Sequence, residues 1–591
     1  MDLDEILDEV GHFGKFQAIN YVLVGFPVLL SAAFSLSYVF TAGDLEYRCR
    51  IPECEGEECH FHAEWLQFAV PFEEHDSQLR PSRCLRFAPL YETRNDSLCS
   101  SEMFDRNNKI RCLEWVYNGQ ETTLVNEWGI TCEENEWKLT LVGTINNIGQ
   151  FIGFPLAGFF SDRAGRRTAL VVATVGAGVM GLARSFAWSY EAFLVFEFLD
   201  PVFASGIYPA GFVLSMELVG PRARVLGGTL TSFFYAFGEA ILGGMALWLQ
   251  NWRNLLRVFY VPALLCIAYL WFLPESVRWL LSMGKTKEAQ NIILKAAKMN
   301  GVALSSDTLS KLQMTSTTDG KSENPEAVAK STKEVLMQVL RSKLLLLRVV
   351  NCSFCWVTIT FVFYGLSLTS VSVDGNKFTN FILVALIELP AYVVFYFTMD
   401  RFGRRSTLSV SLILSGISCI SFAFVPTGKC NLNWLRMVLF LTGKFSITIS
   451  FTVVYVYTTE MFPTELRHSL LGVCAMVGRI GSMVAPQTPL LEHYVESLPL
   501  FLFGGMSILS GLFSLSFPET LNSKLPDSVK EAESIGKKNL QMSYIRFPNS
   551  LFIITPKAED FDWYLVFKYR YTPVYMTVDP SIMQCYKETC N

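Results

Sequence analysis

The feature that most limits how this chain can fold is a series of twelve apolar runs, each near the roughly 20 residues a helix needs to cross a bilayer. They fall at 18–40, 139–160, 168–187, 192–217, 225–248 and 255–273, then at 346–370, 378–399, 406–425, 435–458, 469–490 and 499–517. Glycine and proline are frequent inside them, which helices tolerate better in lipid than in water. The expectation is an all-α membrane protein, multi-pass, with the lipid bilayer as its surroundings. Only 17% of the 591 residues are charged, against about 25% in soluble proteins. The net charge of −5 is small, and no basic patch is interleaved with aromatics, so nucleic acid is excluded as a partner. The N-terminus is acidic and leads into a long apolar run. That run is expected to stay as a helix rather than be cleaved as a leader.

Short loops set the orientation. Those at 161–167, 218–224, 400–405 and 459–468 hold Arg163, Arg166, Arg167, Arg222, Arg224, Arg401, Arg404, Arg405 and Arg467. Those on the other side hold only Arg253, Lys377 and Lys429. The imbalance places the first set in the cytoplasm, and an even number of spans puts both termini there. Segment 41–138 then lies outside, with Cys49, Cys54, Cys59, Cys84, Cys99, Cys112 and Cys132 among the chain's fifteen cysteines. Such density predicts a disulfide-rich extracellular domain whose pairing is left open, with one thiol over. Asn95-Asp96-Ser97 in the same loop is a glycosylation acceptor. Asn351-Cys352-Ser353 falls at a cytoplasmic end and should stay unmodified. The domain and its sugar make the plasma membrane the expected location.

The resulting division is a cytoplasmic N-terminus at 1–17, a first bundle at 18–273, a cytoplasmic linker at 274–345, a second bundle at 346–517 and a cytoplasmic tail at 518–591. The linker reads as two amphipathic helices, 285–299 and 333–347, around a polar stretch at 305–325.

An internal repeat divides the spans into two sets of six. SDRAGRR at 161–167 returns as MDRFGRR at 399–405, about 240 residues on. Glu217 precedes Arg224 as Glu460 precedes Arg467, with Pro221 and Pro463 between. FLPES at 272–276 matches SFPET at 516–520. Each pair sits at the cytoplasmic end of a span, so two pseudo-symmetric six-helix bundles are expected. Proteins built this way place a solute site between the halves, near the midplane. An Asp at a helix end beside Arg-Gly-Arg-Arg sets three cations against one carboxylate, and Glu217 and Glu460 can join them. Asp162, Arg163, Arg166, Arg167, Glu217, Arg224, Asp400, Arg401, Arg404, Arg405, Glu460 and Arg467 are therefore candidate gating residues. The plainer reading is that these charges only fix topology.

DRAGRR and DRFGRR in this setting resemble the signature of the major facilitator superfamily. The large loop after the first span, the start LDEILDEVGHFGKFQ, the Glu127-Trp128…Cys132 element and PESVRWLL at 274–281 resemble solute carrier family 22. FYAFG at 234–238, YGLSL at 364–368, ELPAYV at 388–393 and the stretch 443–463 look closest to its carnitine and zwitterion branch. The resemblance covers roughly residues 1–535, and the segment from Ser543 onward has no counterpart in it. It implies the major facilitator fold and alternating-access transport.

Ionisable residues inside spans are functional candidates by default. The resemblance implies a cation-type Glu388 in the eighth span, with Tyr392 where the anion branch has a lysine. It also implies an anion- or zwitterion-type Arg479 in the eleventh. Together they suit a solute with an amine at one end and a carboxylate at the other. Arg479 would clamp the carboxylate. Glu388 with Trp356, Tyr364, Tyr392, Tyr235 and Tyr455 would surround the amine by charge and cation–π attraction. The competing reading is that Glu388 and Arg479 bridge each other. Glu197, Asp200, Glu239 and Lys444 are further charges within spans. Glu239 replaces the family's usual tyrosine and can shift preference or bind a coupling proton.

The expected solute is a small organic cation or zwitterion. No cofactor or metal is expected, and Na+ or H+ is the candidate coupling ion. The chain is expected to be a monomer, with pairing through the extracellular domain as the alternative. An organic anion exchanger is the rival within the family. A cell-surface receptor explains the cysteines but not the repeat. An enzyme is excluded by the lack of HExxH, Walker, GxSxG or metal-ligand patterns; His60 and His62 lie near Cys54 and Cys59, where disulfides are preferred to zinc.

Overall fold

The computed structural model describes residues 6–7, 9–11, 13–55, 60–75, 78–90, 99–220, 224–304, 341–373, 375–426, 432–463, 467–491, 495, 497–521, 526, 529–535, 543–547, 550–556, 563–569 and 572–577. Cys59, Asn95, Arg222, Lys429 and the polar stretch of the linker lie outside them, as do the side chains of Arg224 and Arg467.

Among the described residues, ten helices are long and apolar enough to cross a membrane. In chain order they are span one (Lys15–Thr41), three (Arg166–Arg184), four (Tyr190–Glu217), five (Leu226–Leu249), six (Trp252–Phe272), seven (Lys343–Thr369), eight (Lys377–Phe402), nine (Arg404–Phe424), ten (Asn433–Met461) and eleven (Leu470–Leu491). Two more complete the twelve that the sequence predicts. Span two (Glu133–Ala164) is 32 residues long but polar along one face, with Asn146, Asn147 and Gln150 buried. Span twelve (Leu498–Ser514) is apolar but only 17 residues long. Spans four and eight are each two helical segments, divided at Ser205–Gly206 and at Ile387. A proline follows each break, Pro209 and Pro390, and its missing N–H leaves a carbonyl of the preceding turn unpaired.

The all-α description holds for the spans only. The domain after span one is built on antiparallel pairs: β1 (Tyr47–Cys49) with β6 (Trp115–Tyr117), β2 (Phe72–His75) with β3 (Gln78–Pro81), and β4 (Leu85–Pro89) with β5 (Phe104–Arg111). Disulfides Cys49–Cys112, Cys54–Cys99 and Cys84–Cys132 staple it. Its core holds the fully buried Arg48, which pairs with Glu55 and donates to the carbonyls of Phe61 at 2.8 Å and His60 at 2.6 Å. Glu127 and Trp128, from the element singled out in the sequence, dock the domain on the first bundle. Glu127 accepts from Trp252 Nε1 at 2.6 Å and pairs with Arg253, while Trp128 packs on Tyr190, Phe193 and Trp252.

The linker forms a helix at Thr286–Asn300, within one residue of the amphipathic helix expected at 285–299. Asn300 ties it to span one by accepting from Phe16 N at 2.9 Å. Of the second expected helix, 333–347, the residues from Lys343 onward belong to span seven, which extends below its apolar stretch. The tail carries a four-stranded antiparallel sheet, β7 (Ser543–Phe547), β8 (Ser550–Pro556), β9 (Trp563–Tyr569) and β10 (Thr572–Thr577), in sequential order.

The two halves are fastened at the end that bears the disulfide domain. Thr140 donates to Gln487 Oε1 at 3.2 Å, Gln487 donates to Thr144 at 2.6 Å, and Lys377 pairs with Glu121 at 2.6 Å. Phe40 stacks on Phe378 and meets Phe381 edge-on. Gly143 allows this approach, because a Cβ there would sit 2.8 Å from Pro486 and from Tyr38.

Candidate functional site

At the opposite end the repeated turns build the same device twice. Arg166 pairs with Asp162 at 3.2 Å and with Glu217 at 3.5 Å. Arg404 pairs with Asp400 at 3.1 Å and with Glu460 at 3.0 Å. Each cluster closes within its own half. Sequence reasoning missed the second member of each device, the Glu of PES and PET. Glu275 accepts from Arg167 N at 2.9 Å, and Glu519 accepts from Arg404 N at 2.8 Å and Arg405 N at 3.1 Å. Each carboxylate thus caps the N-terminus of the following span, where backbone N–H groups lack helical partners. Gly165 and Gly403 have φ of +97° and +88°, and a Cβ on either would lie within 2.5 Å of the capping carboxylate. A side chain at either glycine would therefore be both strained and crowded. Arg163 lies over the Phe159 ring and Arg401 over Phe402, apart from these pairs.

In the first half, Arg184 of span three is fully buried and pairs with Glu197 and, at 3.4 Å, with Asp200. Tyr260 donates to Asp200 and also accepts from Arg184 at 2.8 Å. Glu197 accepts from Asn146 at 2.8 Å, Asn146 from Gln150 at 2.9 Å, and Gln150 in turn from Arg479 at 3.2 Å. A continuous hydrogen-bonded line therefore runs from the core of one half to an arginine of the other. Arg184, Asn146 and Gln150 were not singled out in the sequence, although an arginine inside an apolar run was signal enough.

Arg479 reaches the seam because spans seven and eleven pack closely. A Cβ at Gly478 would stand 3.1 Å from Trp356 Cβ, and one at Gly481 only 2.2 Å from the Val357 carbonyl oxygen; small residues at such crossings let backbones approach. The guanidinium donates to Tyr364 at 3.1 Å and lies 4.2 Å from the Phe154 ring centre. Its contacts are thus an amide, a hydroxyl and a ring.

Glu388, just past the break in span eight, does not bridge to Arg479. It pairs with Lys444 of span ten at 2.8 Å and accepts from Tyr392 at 3.0 Å. Lys444 also donates to Ser367 at 2.8 Å and lies 3.3 Å from the Phe363 ring centre. Glu239 of span five is also buried, and its Oε1 has no hydrogen-bond partner among the described residues. Of the expected aromatics, Tyr364 and Tyr392 meet the charged groups directly. Tyr455 packs against Trp356 and Phe451. Tyr235 packs edge-on to Tyr208, a residue the sequence reading passed over. Trp356 is 1% exposed, donates to Thr458 at 3.1 Å and packs edge-on to Tyr455, which makes it part of the wall.

The arrangement offers a guanidinium held by neutral groups at the seam of two helical halves, together with a buried Glu388–Lys444 pair and a buried Glu239. Comparison with known proteins agrees. A family model described as "Sugar (and other) transporter" matches residues 113–528. The inward-open xylose transporter XylE from E. coli shares the fold, with a TM-score of 0.57 at 16% identity over 88% of this chain and all of that one. Fold and match define a membrane transporter of the major facilitator superfamily, not an enzyme. The organic cation/carnitine transporter 2 of Homo sapiens is 32% identical over 90% of this chain and 94% of its own length. Solute carrier family 22 member 21 of Mus musculus is 30% identical over 92% and 95%, and the organic cation transporter protein of Drosophila melanogaster 30% over 91% and 96%. The chain belongs to solute carrier family 22.

Proposed function

We propose that the protein carries small organic cations or zwitterions of the carnitine-like, quaternary ammonium or amine kind, by alternating access. The observation that carries this reading is the contrast at the seam. Among the described residues Arg479 donates only to neutral groups, so a solute carboxylate can complete it, while Glu239 is buried with an oxygen that no hydrogen bond satisfies and leaves a place for a cation. Tyr364, Tyr392, Tyr235 and Tyr455 supply ring faces between the two. Human and rodent relatives named as organic cation/carnitine transporters support the same solute class. An organic anion exchanger is the second reading, favoured by the uncompensated guanidinium alone.

The clusters around Arg166 and Arg404 act in this reading as latches that re-form when the end bearing them closes. The disulfide domain faces outward at the plasma membrane, and both termini face the cytoplasm. A coupling ion, Na+ or H+, drives the cycle, and the unit is a monomer.

Uptake of labelled carnitine, carcinine, tetraethylammonium and p-aminohippurate, with and without sodium and at two pH values, tests the reading. Arg479→Ala is expected to cut carnitine-like uptake at least tenfold while sparing tetraethylammonium. Uptake of p-aminohippurate alone by the unaltered protein would overturn the solute class.

A further inference from the structure

The line of hydrogen bonds between Arg184 and Arg479 has a direction. Arg479 Nη1 donates to Gln150 Oε1 at 3.2 Å, Gln150 Nε2 to Asn146 Oδ1 at 2.9 Å, and Asn146 Nδ2 to Glu197 Oε1 at 2.8 Å. The other Glu197 oxygen pairs with Arg184. A guanidinium only donates and a carboxylate only accepts, so two amides set between them have one orientation that satisfies every link. Glu197 therefore dictates, through Asn146, which end of the Gln150 amide faces Arg479. It is the carbonyl oxygen, the end that a guanidinium needs. Both amides are buried, where an unmade hydrogen bond is costly.

Span two is built to carry this line. Asn146, Gln150 and Phe154 follow at four-residue intervals and share one helix face. Gly149 and Gly153 let span four close on it. A Cβ there would stand 2.5 Å from the Phe198 carbonyl oxygen and 2.3 Å from Ser205 Oγ respectively. The Phe154 ring lies 4.2 Å from the Arg479 guanidinium carbon, and the Tyr364 hydroxyl accepts from the same Nη1 at 3.1 Å. Among the described residues no bond falls on Nε or Nη2 of Arg479, and that edge of the fork matches the two oxygens of a carboxylate.

We propose that Glu197, Asn146 and Gln150 are positioning residues that hold Arg479 by Nη1 and turn its Nε–Nη2 edge to a solute carboxylate. This role rests on the reading that Arg479 receives that carboxylate. Reversal of the Gln150 amide would set its NH2 against the guanidinium, donor against donor, and push the fork out of place. Glu197→Gln brings about that reversal from a distance. Its single side-chain oxygen cannot serve both Arg184 and Asn146. Given to Arg184, it leaves an NH2 facing Asn146, whose amide turns and turns that of Gln150 with it.

The test compares the full chain with Glu197→Gln, Gln150→Leu and the double variant. Uptake is measured over a range of labelled carnitine and tetraethylammonium concentrations, and melting temperature on purified protein without solute. Each single variant is expected to raise the KM for carnitine, relative to that for tetraethylammonium, about tenfold, the order of one hydrogen bond to a charged group. The double variant should be no worse than the worse single one, because once Gln150 cannot accept, the polarity set at Glu197 no longer reaches Arg479. The losses in melting temperature should also fail to add, although sites without a shared partner ordinarily do. Should Glu197→Gln not reach the membrane, Asn146→Leu cuts the same line and leaves both members of the Arg184–Glu197 pair in place, and an unchanged KM ratio in it overturns the proposal. Additive changes in KM or in melting temperature overturn it as well, as does an unchanged ratio in Gln150→Leu when Arg479→Ala abolishes carnitine uptake. If Arg479→Ala spares carnitine, the solute reading fails instead, and the melting temperatures alone decide whether the line is coupled.

Discussion

Arg184 and Arg479 are both arginines inside spans, yet they answer to different forces. Arg184 is sealed against Glu197, Asp200 and Tyr260, so its removal strands two buried carboxylates. Breaking a buried pair in this way costs about 3–5 kcal/mol. Arg184→Met is expected to reduce the protein reaching the cell surface and to lower its melting temperature in detergent; an unchanged melting temperature would refute the structural role. Arg479→Ala strands no carboxylate among the described residues, so that variant should reach the surface and fail only in carnitine-like uptake. The sequence marked Glu197, Asp200, Glu239, Glu388 and Lys444 as charges out of place, because lipid makes any such residue conspicuous. It did not show their partners. Lys444 meets Glu388 through helix packing, which leaves no periodic trace in the chain.

At the scale of elements, the glycine turns before spans three and nine are constrained twice over, by backbone conformation and by space. The backbone at Gly403, with φ of +88° and ψ of 166°, belongs to a region open essentially to glycine alone. A Cβ there also meets Glu519. Gly403→Ala is expected to cost about 1–3 kcal/mol, read as a lower melting temperature of the purified protein. Melting at the normal temperature would mean that the capping carboxylate moves aside freely. The repeat that holds these glycines was plain in the sequence. The cap was not, since Glu275 and Glu519 return from more than 100 residues away in the chain. Disulfide pairing was likewise closed to spacing arguments, because it depends on how the short β pairs stack.

For the whole molecule, twelve spans in two halves were legible because the bilayer imposes length and hydropathy directly. The conformation was not, because the same sequence must serve more than one. Here the halves meet through Thr140, Thr144 and Gln487 at the disulfide end, while among the described residues the arginine clusters at the other end bind within their own halves. In a variant with Thr140→Cys and Gln487→Cys, an oxidant should join the two residues and stop uptake, and a reductant should restore it. Full uptake by the cross-linked protein would mean that this end need not open.

The disulfide domain grips one half through Glu127 on Trp252 and Arg253, and touches the other through Glu121 on Lys377. It therefore straddles the hinge line like a strap across a clasp. An antibody or peptide toxin that stiffens residues 121–127 should throttle turnover from outside without ever entering the solute path, and its inhibition should not be relieved by raising the solute concentration.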